Sequence, residues 1–140
     1  MYMRDVKESS LRYVVICGDR GWPARKASII ADRIAEIPRD VVVVEGGQRG
    51  VDLLAADACR AQARPFLEVP ADWSRYDKAA GPIRNRWMLD LGPEAVIAFH
   101  DYIWGSKGTK DCVNEALERS IPVQLIDKAG ERQTVRYPFD

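Results

Sequence analysis

The feature that most constrains this chain is a regular alternation of short, β-branched apolar runs with longer segments of helical periodicity. Such alternation is typical of βαβ units, in which helices connect parallel strands. The runs are almost wholly apolar, as expected for strands that helices cover on both faces of a sheet. The pattern predicts an α/β fold with a mainly parallel sheet of about five strands. The predicted strands span residues 13–17, 41–45, 66–69, 95–99 and 123–126, with an extra C-terminal edge strand at 134–137.

Four helices are predicted between these strands, and the first two show why they should pack on the sheet. The first begins after Pro23, a residue favoured in the first helical turn. Its isoleucines Ile30, Ile34 and Ile37 fall on one face. The second, over residues 50–63, is rich in alanine, which lets a helix lie close to strands.

The two later helices are predicted over residues 79–91 and 109–120. The earlier of these is predicted to bury an apolar stripe formed by Ile83, Trp87 and Leu91. The later one begins at Thr109, whose hydroxyl makes it a good N-cap residue. Each helix therefore has one side predicted for the core.

Length and charge limit the classes of protein to which this chain can belong. Its 140 residues suit one domain, and a hydrophobic content of 46% suffices for a core. The 21 basic and 21 acidic residues balance, whereas indiscriminate binders of nucleic acid or membrane surfaces depend on excess positive charge. No apolar run approaches the roughly 20 residues that span a membrane. We expect one domain over residues 12–140, with neither nucleic acid nor membrane as its partner.

The N-terminus and the cysteines indicate the cellular setting. Residues 1–11 carry charges and no apolar segment, so we expect a flexible lead-in, no secretory signal and a cytoplasmic location. Cys17, Cys59 and Cys112 are odd in number and lack CxxC spacing. We therefore predict reduced thiols, no metal site and no cofactor.

Glycines and charged residues follow the predicted strands, at the edge where open α/β sheets bind ligands. Glycines let backbone amides approach an anion, and a helix that begins there adds the positive end of its dipole. A single glycine pair is explained as well by a tight turn, but two pairs favour a phosphorylated ligand. Neither loop matches the Walker A or GxGxxG motif, which disfavours ATP hydrolysis and NAD redox chemistry. The segments are Gly18-Asp19-Arg20-Gly21-Trp22, Gly46-Gly47-Gln48-Arg49-Gly50-Val51-Asp52, Pro70-Ala71-Asp72-Trp73 and Trp104-Gly105-Ser106-Lys107-Gly108-Thr109-Lys110-Asp111.

Five motifs stand in order along the chain: Cys17-Gly18-Asp19-Arg20-Gly21, Glu45-Gly46-Gly47-Gln48-Arg49-Gly50-Val51-Asp52, Pro70-Ala71-Asp72-Trp73, Gly81-Pro82-Ile83-Arg84-Asn85-Arg86-Trp87-Met88 and Gly108-Thr109-Lys110-Asp111. Together they resemble the YspA/YpsA-related branch of the SLOG superfamily, over about residues 12–127. That superfamily includes the Lonely Guy phosphoribohydrolases and the DNA-processing protein DprA. The resemblance implies a single-domain, Rossmann-like three-layer sandwich, and a homo-oligomer.

The resemblance also implies a nucleotide or nucleotide-derived ligand, held by the loops at residues 46–47 and 105–109 with Arg84 near the phosphate. The Trp73 indole can stack on a base. Asp72 has the alternative role of closing an Asx-turn. Ligand contacts are predicted for Gly18, Asp19, Arg20, Gly46, Gly47, Arg49, Gly50, Asp72, Trp73, Asn85, Gly105, Ser106, Gly108 and Thr109.

Catalysis would need a carboxylate near the sugar, because a glycosidic bond breaks through an oxocarbenium-like transition state. Lonely Guy enzymes use an Arg-Lys-x-x-Met stretch and a Pro-Gly-Gly-x-Gly-Thr-x-x-Glu stretch. Here Asn85 stands in place of the Lys and Cys112 in place of the Glu, and Asp111 comes one residue early, about 100° away on a helix. The catalytic candidates are Asp52, Arg84 and Asp111, and for Asp52 the alternative is stabilisation of a helix N-terminus.

Three functions stay open from the sequence. The first is nucleotide binding at the carboxyl ends of the strands, with hydrolysis of the N-glycosidic bond as a phosphoribohydrolase-like activity. The second is a noncatalytic nucleotide sensor or sequestering protein, which Cys112 in the Glu position favours. The third is a DprA-like nucleic-acid-binding module, which would need a continuous basic face.

Overall fold

The computed structural model describes residues 11–136 and contains one six-stranded sheet in the order β3-β2-β1-β4-β5-β6. The first five strands are parallel, and β6 pairs antiparallel with β5. The predicted α/β fold is confirmed. The strands are β1 Arg12–Gly18, β2 Val41–Glu45, β3 Phe66–Glu68, β4 Ala95–Phe99, β5 Val123–Ile126 and β6 Arg132–Val135.

Helices cover both faces of this sheet and complete a three-layer sandwich. Helices α1 and α2 pack on the face that presents Val14, Ile16 and Phe99. Helices α4 and α5 pack on the opposite face, which presents Val15 and Ala98. Because the strands are buried on both sides, they read as continuous apolar runs. The helices are α1 Ala27–Ala35, α2 Val51–Ala61, α3 Trp73–Tyr76, α4 Ala80–Asp90 and α5 Lys107–Glu118, with single 3-10 turns at Ala24–Lys26, Asp77–Ala79 and Ile103–Gly105.

The predicted buried stripe of α4 is wrong. Trp87 is 42% exposed and packs edge-on against Tyr76, with the ring centroids 6.0 Å apart. The buried side instead contains Met88 together with two polar residues, Arg84 and Asn85. The prediction from hydrophobic periodicity was wrong because it assumes that the buried face of a helix is apolar. Arg84 and Asn85 can be buried because hydrogen bonds satisfy their polar groups.

The C-terminal strand and the cap of α5 also differ from the prediction. The edge strand spans Arg132–Val135, because a turn closed by the Gly130 amide and the Asp127 carbonyl sets its register early. Part of the predicted 134–137 strand, and residues 1–10 of the lead-in, lie outside the described residues. Helix α5 is capped by Ser106 and not by Thr109. No helix within residues 11–136 is long and apolar enough to cross a membrane.

Candidate functional site

A cleft of about 680 Å³ opens at the carboxyl ends of β1 and β4, the two central strands. The helix that follows β1 lies on one face of the sheet and the helix that follows β4 on the other. Ligands bind at this topological switch point in open α/β sheets, because the two connections leave a crevice between them. The predicted residues that line the cleft are Gly18, Asp19, Arg20, Asp52, Trp73, Arg84, Asn85, Gly105, Ser106, Gly108 and Thr109.

Six other predicted site residues lie outside the cleft lining. Three of them are glycines of the β2–α2 loop, and a fourth, Arg49, is exposed on the same loop. Asp72 accepts hydrogen bonds from the Ser74 hydroxyl and the Arg75 amide at the start of α3, which fits its turn-closing alternative. The full set is Gly46, Gly47, Arg49, Gly50, Asp72 and Asp111.

The turn after β1 is rigid and carries a carboxylate into the cleft. A Cβ on Gly18 would lie 2.3 Å from the Phe99 carbonyl oxygen, so only glycine fits there. Asp19 accepts hydrogen bonds from the Gly21 amide at 2.7 Å and from the Lys128 ammonium at 2.8 Å. Partial burial would raise the pKa of Asp19, but these two donors lower it below its ordinary value. Asp19 is therefore an ionised, fixed acceptor.

The β2–α2 loop, residues 46–50, is filled by side chains of the protein itself. A Cβ on Gly46 would lie 2.3 Å from the Arg84 guanidinium. Gly50 has a φ of +79°, and its missing Cβ leaves room for the Asp19 and Arg20 carbonyls. The Glu68 side chain occupies the space beside Gly47. These glycines therefore allow close packing within the protein, and none of the three lines the cleft.

Beneath this loop lies an acid that sequence reasoning missed. Glu45 is fully buried, and its carboxyl group accepts a hydrogen bond from the Gly47 amide at 2.6 Å. Burial and the neighbouring Glu68 carboxyl raise the pKa of Glu45 to about 8. At neutral pH Glu45 is therefore mostly protonated. The sequence shows Glu45 only as the last residue of a strand, and nothing in that pattern marks it.

Asp52 brings a second perturbed carboxyl group into the cleft. The side chain is in the first turn of α2 and accepts a hydrogen bond from the Gln48 amide at 3.2 Å. Burial raises the pKa of Asp52 to about 6, against the opposing effects of the Gln48 amide and the Arg84 guanidinium. A carboxyl group in a cleft with such a pKa can exchange a proton near neutral pH.

Helix α4 ties the two glycine-rich loops together. Arg84 donates from its NH1 group to the Gly46 carbonyl at 2.6 Å and from Nε to the Asn85 side-chain oxygen at 3.0 Å. The Asn85 amide donates to the Gly108 carbonyl at 3.3 Å and to Asp111 at 3.0 Å. Asp111 thus holds Asn85 in place and does not reach the cleft wall. Both α4 residues are almost fully buried, so their positions are fixed.

The segment at residues 105–109, which leads into the first turn of α5, opens to the cleft. The Ser106 hydroxyl caps the helix by accepting a hydrogen bond from the Thr109 amide at 3.2 Å. Apart from the chain neighbours of Gly108 and the backbone of its own helix, no atom of residues 11–136 lies within 4 Å of the position that a Cβ on Gly108 would take. Lys107 and Lys78 add positive charge to the same lining. A helix N-terminus with these neighbours is suited to an anion.

The rim and floor of the cleft are apolar. Trp73, which is 49% exposed, stands on the rim above Gly81. Cys17 lines the cleft and is buried beside Cys112, and hydrogen bonding to Cys112 together with burial raises the pKa of the Cys17 thiol. The position that the family resemblance would give to a catalytic Glu is therefore occupied by a core thiol. Within residues 11–136 no cluster of three or more His, Cys, Asp or Glu side chains is arranged to hold a metal.

His100 also lines the cleft, although the sequence prediction left it out. Its ring Nδ1 accepts a hydrogen bond from the Tyr102 amide at 2.8 Å. Its backbone amide donates to the Ile126 carbonyl at 3.0 Å, which extends the β4–β5 ladder by one residue. A single histidine in a sequence does not indicate that a backbone amide will hold its ring in place.

Comparison with known proteins identifies relatives of this chain. Residues 12–76 match the family model described as the YspA, cpYpsA-related SLOG family. The Gene 61 protein of Mycobacterium phage D29 is 36% identical over 120 residues, which cover 81% of this chain and 94% of the phage protein.

A solved structure is also similar. The DNA processing protein A (DprA) of Streptococcus pneumoniae matches with a TM-score of 0.69 and 19% sequence identity over 83% of this chain. The matched region is 50% of the DprA chain, so this chain spans half of that protein's length. At this level of identity the similarity shows a shared fold.

Proposed function

This chain belongs to the YspA, cpYpsA-related SLOG family, and from that premise we propose that its cleft binds a nucleotide or a nucleotide-derived ligand. The observation that carries the proposal is the convergence of the open α5 N-terminus, Arg84 and Asp52 on one cleft at the switch point. A phosphate, a ribose and a base each find a matching group there.

The phosphate would bind at the open loop. The first-turn amides of α5 and the helix dipole favour an anion, and Lys107 adds a full charge. Arg84 uses its Nε and NH1 groups within the protein, and its NH2 group donates no hydrogen bond to any residue within 11–136. That NH2 group is available for a phosphate oxygen.

The rest of the ligand would lie across the cleft. The Asp52 carboxyl group can accept a hydrogen bond from a ribose hydroxyl, as acids near the phosphate loop do in Rossmann-like folds. The exposed Trp73 indole offers a face on which a base can stack. The expected homo-oligomer and cytoplasmic location belong to the same proposal, and light scattering of the purified protein tests the former.

A second candidate is hydrolysis of the N-glycosidic bond, which the raised pKa of Asp52 favours. In that reaction water attacks the C1′ carbon of the ribose, the C1′–N bond breaks, and the base leaves with a proton. Asp52 would stabilise positive charge at the sugar or take the proton from water. The burial of Cys112, where the Lonely Guy enzymes have Glu, favours the noncatalytic alternative.

Thermal unfolding with nucleoside monophosphates, ADP-ribose, NAD and cyclic nucleotides tests the binding proposal. A ligand at 100 times its Kd adds about 2.7 kcal/mol, which raises Tm by roughly 5 to 10 °C for a domain of this size. Lys107→Gln should reduce the shift, whereas Arg60→Gln, an exposed α2 arginine paired with Asp57, should leave it unchanged. If no nucleotide raises Tm, the binding proposal is wrong.

The same mixtures separate the alternatives. Release of free base, measured by chromatography and lost in Asp52→Ala, would support the hydrolase. Stoichiometric binding of the intact nucleotide would support the sensor. Salt-sensitive retention of single-stranded DNA, without nucleotide binding, would support a nucleic-acid-binding module.

A further inference from the structure

Two hydrogen bonds fix His100, one through its backbone and one through its ring. The residue directly follows β4, at the switch point, and its backbone remains in the strand ladder through the Ile126 carbonyl. Its ring is fixed by the 2.8 Å hydrogen bond from the Tyr102 amide to Nδ1. Both the position and the orientation of the ring toward the cleft are therefore set before any ligand binds.

That hydrogen bond also fixes the tautomer. A ring nitrogen can accept from an amide only when it carries no proton, so the proton of the neutral imidazole is on Nε2. Within residues 11–136, no side chain or backbone group forms a hydrogen bond with Nε2. His100, which lines the cleft, thus has an oriented N–H donor without a hydrogen-bond partner among the described residues.

The surroundings keep this donor uncharged. Burial lowers the pKa of His100, and Lys128 acts in the same direction, while Asp19 and Asp101 oppose them; the net pKa is below the ordinary value. Lys128 itself is engaged by Asp19 at 2.8 Å and by Asp101 at 3.5 Å, so its positive charge offsets part of the effect of the two carboxylates on the ring. Protonation of Nδ1 would also break the bond to Tyr102.

We propose that His100 is a specificity-determining residue, whose Nε2–H donates a hydrogen bond to an uncharged acceptor on the nucleobase of the ligand. The inference rests on the proposed function and places the nucleobase beside His100 in the cleft. A phosphate would be drawn instead to Arg84, Lys107 and the α5 amides, which carry full or partial positive charge. A neutral donor suits a carbonyl oxygen or ring nitrogen of a base.

The chain contains a single histidine, so NMR of histidine labelled with ¹⁵N reports on His100 alone. We expect the free protein at pH 7.5 to show a protonated Nε2 and an unprotonated Nδ1. Addition of AMP, GMP, CMP or UMP should shift the Nε2 resonance for those bases that bind. Ribose 5-phosphate, which has the phosphate and the sugar but no base, is the matched probe and should leave Nε2 unshifted.

Two variants test the donor by affinity. His100→Phe keeps a ring and removes the donor, so nucleotide affinity should fall about tenfold relative to ribose 5-phosphate affinity. His100→Gln places an amide donor near the Nε2 position and should recover part of that loss. The tautomer result needs no variant, so it stands if His100→Phe fails to fold.

The outcomes separate this inference from the function on which it rests. If nucleotides bind but leave Nε2 unshifted, or if His100→Phe weakens nucleotides and ribose 5-phosphate equally, the base subsite is wrong while nucleotide binding stands. A proton on Nδ1 in the free protein would also overturn the inference. If neither nucleotides nor ribose 5-phosphate changes Tm or any resonance, the proposed function fails and the base subsite with it.

Discussion

The two glycine-rich loops look alike in the sequence and differ in what occupies the space beside their glycines. In the closed loop, residues 46–50, that space is taken by the Arg84 guanidinium, by Glu68 and by the Asp19 and Arg20 carbonyls. In the open loop, residues 105–109, Gly108 has no neighbour there and faces the cleft. A glycine in such a loop therefore indicates that another group lies close to the backbone. Only the three-dimensional structure shows whether that group belongs to the protein or to a ligand.

The largest effect should come from adding one methyl group to each loop. Gly50→Ala forces a side chain onto a residue with a φ of +79° and places its Cβ 2.3 Å from a backbone oxygen. Strain and overpacking together should lower the free energy of unfolding by roughly 4 kcal/mol. Gly108→Ala meets no atom in a helical turn and should change it by less than about 1 kcal/mol. Urea denaturation measures both, and equal losses would show that the loops do not differ.

Replacement of the arginine that fills the closed loop should have the next largest effect. Arg84→Met leaves the buried Gly46 carbonyl without its donor and should cost roughly 3 kcal/mol. It should also abolish the nucleotide-induced rise in Tm. Arg64 provides the matched control, because it is equally buried but donates to the Ile34, Ile37, Pro38 and Val41 carbonyls, away from the cleft.

Arg64→Met should therefore destabilise the fold and leave nucleotide affinity, measured by calorimetry below both midpoints, unchanged. Equal losses of affinity in the Arg64 and Arg84 variants would mean that Arg84 supports the fold and contacts no ligand. If the Arg84→Met variant retained its nucleotide affinity, Arg84 would not be a phosphate-binding residue.

The two acids that flank the closed loop, Glu45 and Asp52, predict an unusual dependence of stability on pH. The pKa of Asp52 rises from 3.8 to about 6 on folding and that of Glu45 from 4.5 to about 8. At these two groups the folded protein binds more protons than the unfolded chain, so their contribution to stability should fall as the pH rises from about 4 to about 8. The Asp52 shift alone corresponds to a loss on the order of 3 kcal/mol.

Two substitutions separate the contributions of Asp52 and Glu45 to the pH dependence of stability. Asp52→Asn should flatten it between about pH 4 and 6, and Glu45→Gln should flatten it toward pH 8, because each removes one group that the fold holds protonated. Denaturation midpoints measured at intervals across this range give both profiles. Variant profiles that run parallel to the wild-type profile would contradict the burial of protonated acids here.

The smallest effect tests the cap of the open loop. Ser106→Ala removes the acceptor for the Thr109 amide and should cost about 1 kcal/mol, with a measurable loss of nucleotide affinity. Asp72→Ala removes a comparable cap from α3, outside the cleft. Loss of nucleotide affinity in Asp72→Ala would restore the sequence prediction that Asp72 contacts the ligand.

The sequence predicted the fold, and it predicted one edge of the sheet for the candidate residues, because both follow from local patterns. Continuous apolar runs such as Val41–Glu45 predict buried parallel strands, and parallel strands direct their carboxyl ends to one edge. Glycines and charges after those strands therefore converge in any fold of this class. That is why Asp52 and Ser106, far apart in the chain, were predicted to belong to one site.

The sequence could not show which loop is open, because the answer depends on partners distant in the chain. Gly46 is closed by Arg84, which lies 38 residues away on a helix whose buried side was assigned wrongly. The perturbed Glu45 depends on Glu68 of the neighbouring strand. The orientation of His100 depends on a backbone amide, and amides leave no trace in a sequence pattern.

The most direct test of the account is a ¹H–¹⁵N amide titration of the wild-type protein with the nucleoside monophosphate that raises Tm most. We expect the Lys107 and Gly108 amides to shift with the binding isotherm, because these amides of the first turn of α5 would contact the phosphate. The Gly46, Gly47 and Gly50 amides should shift far less, since side chains of the protein already fill that loop. Shifts at the three glycines of the closed loop, with the amides of the open loop unchanged, would contradict the assignment of the two loops.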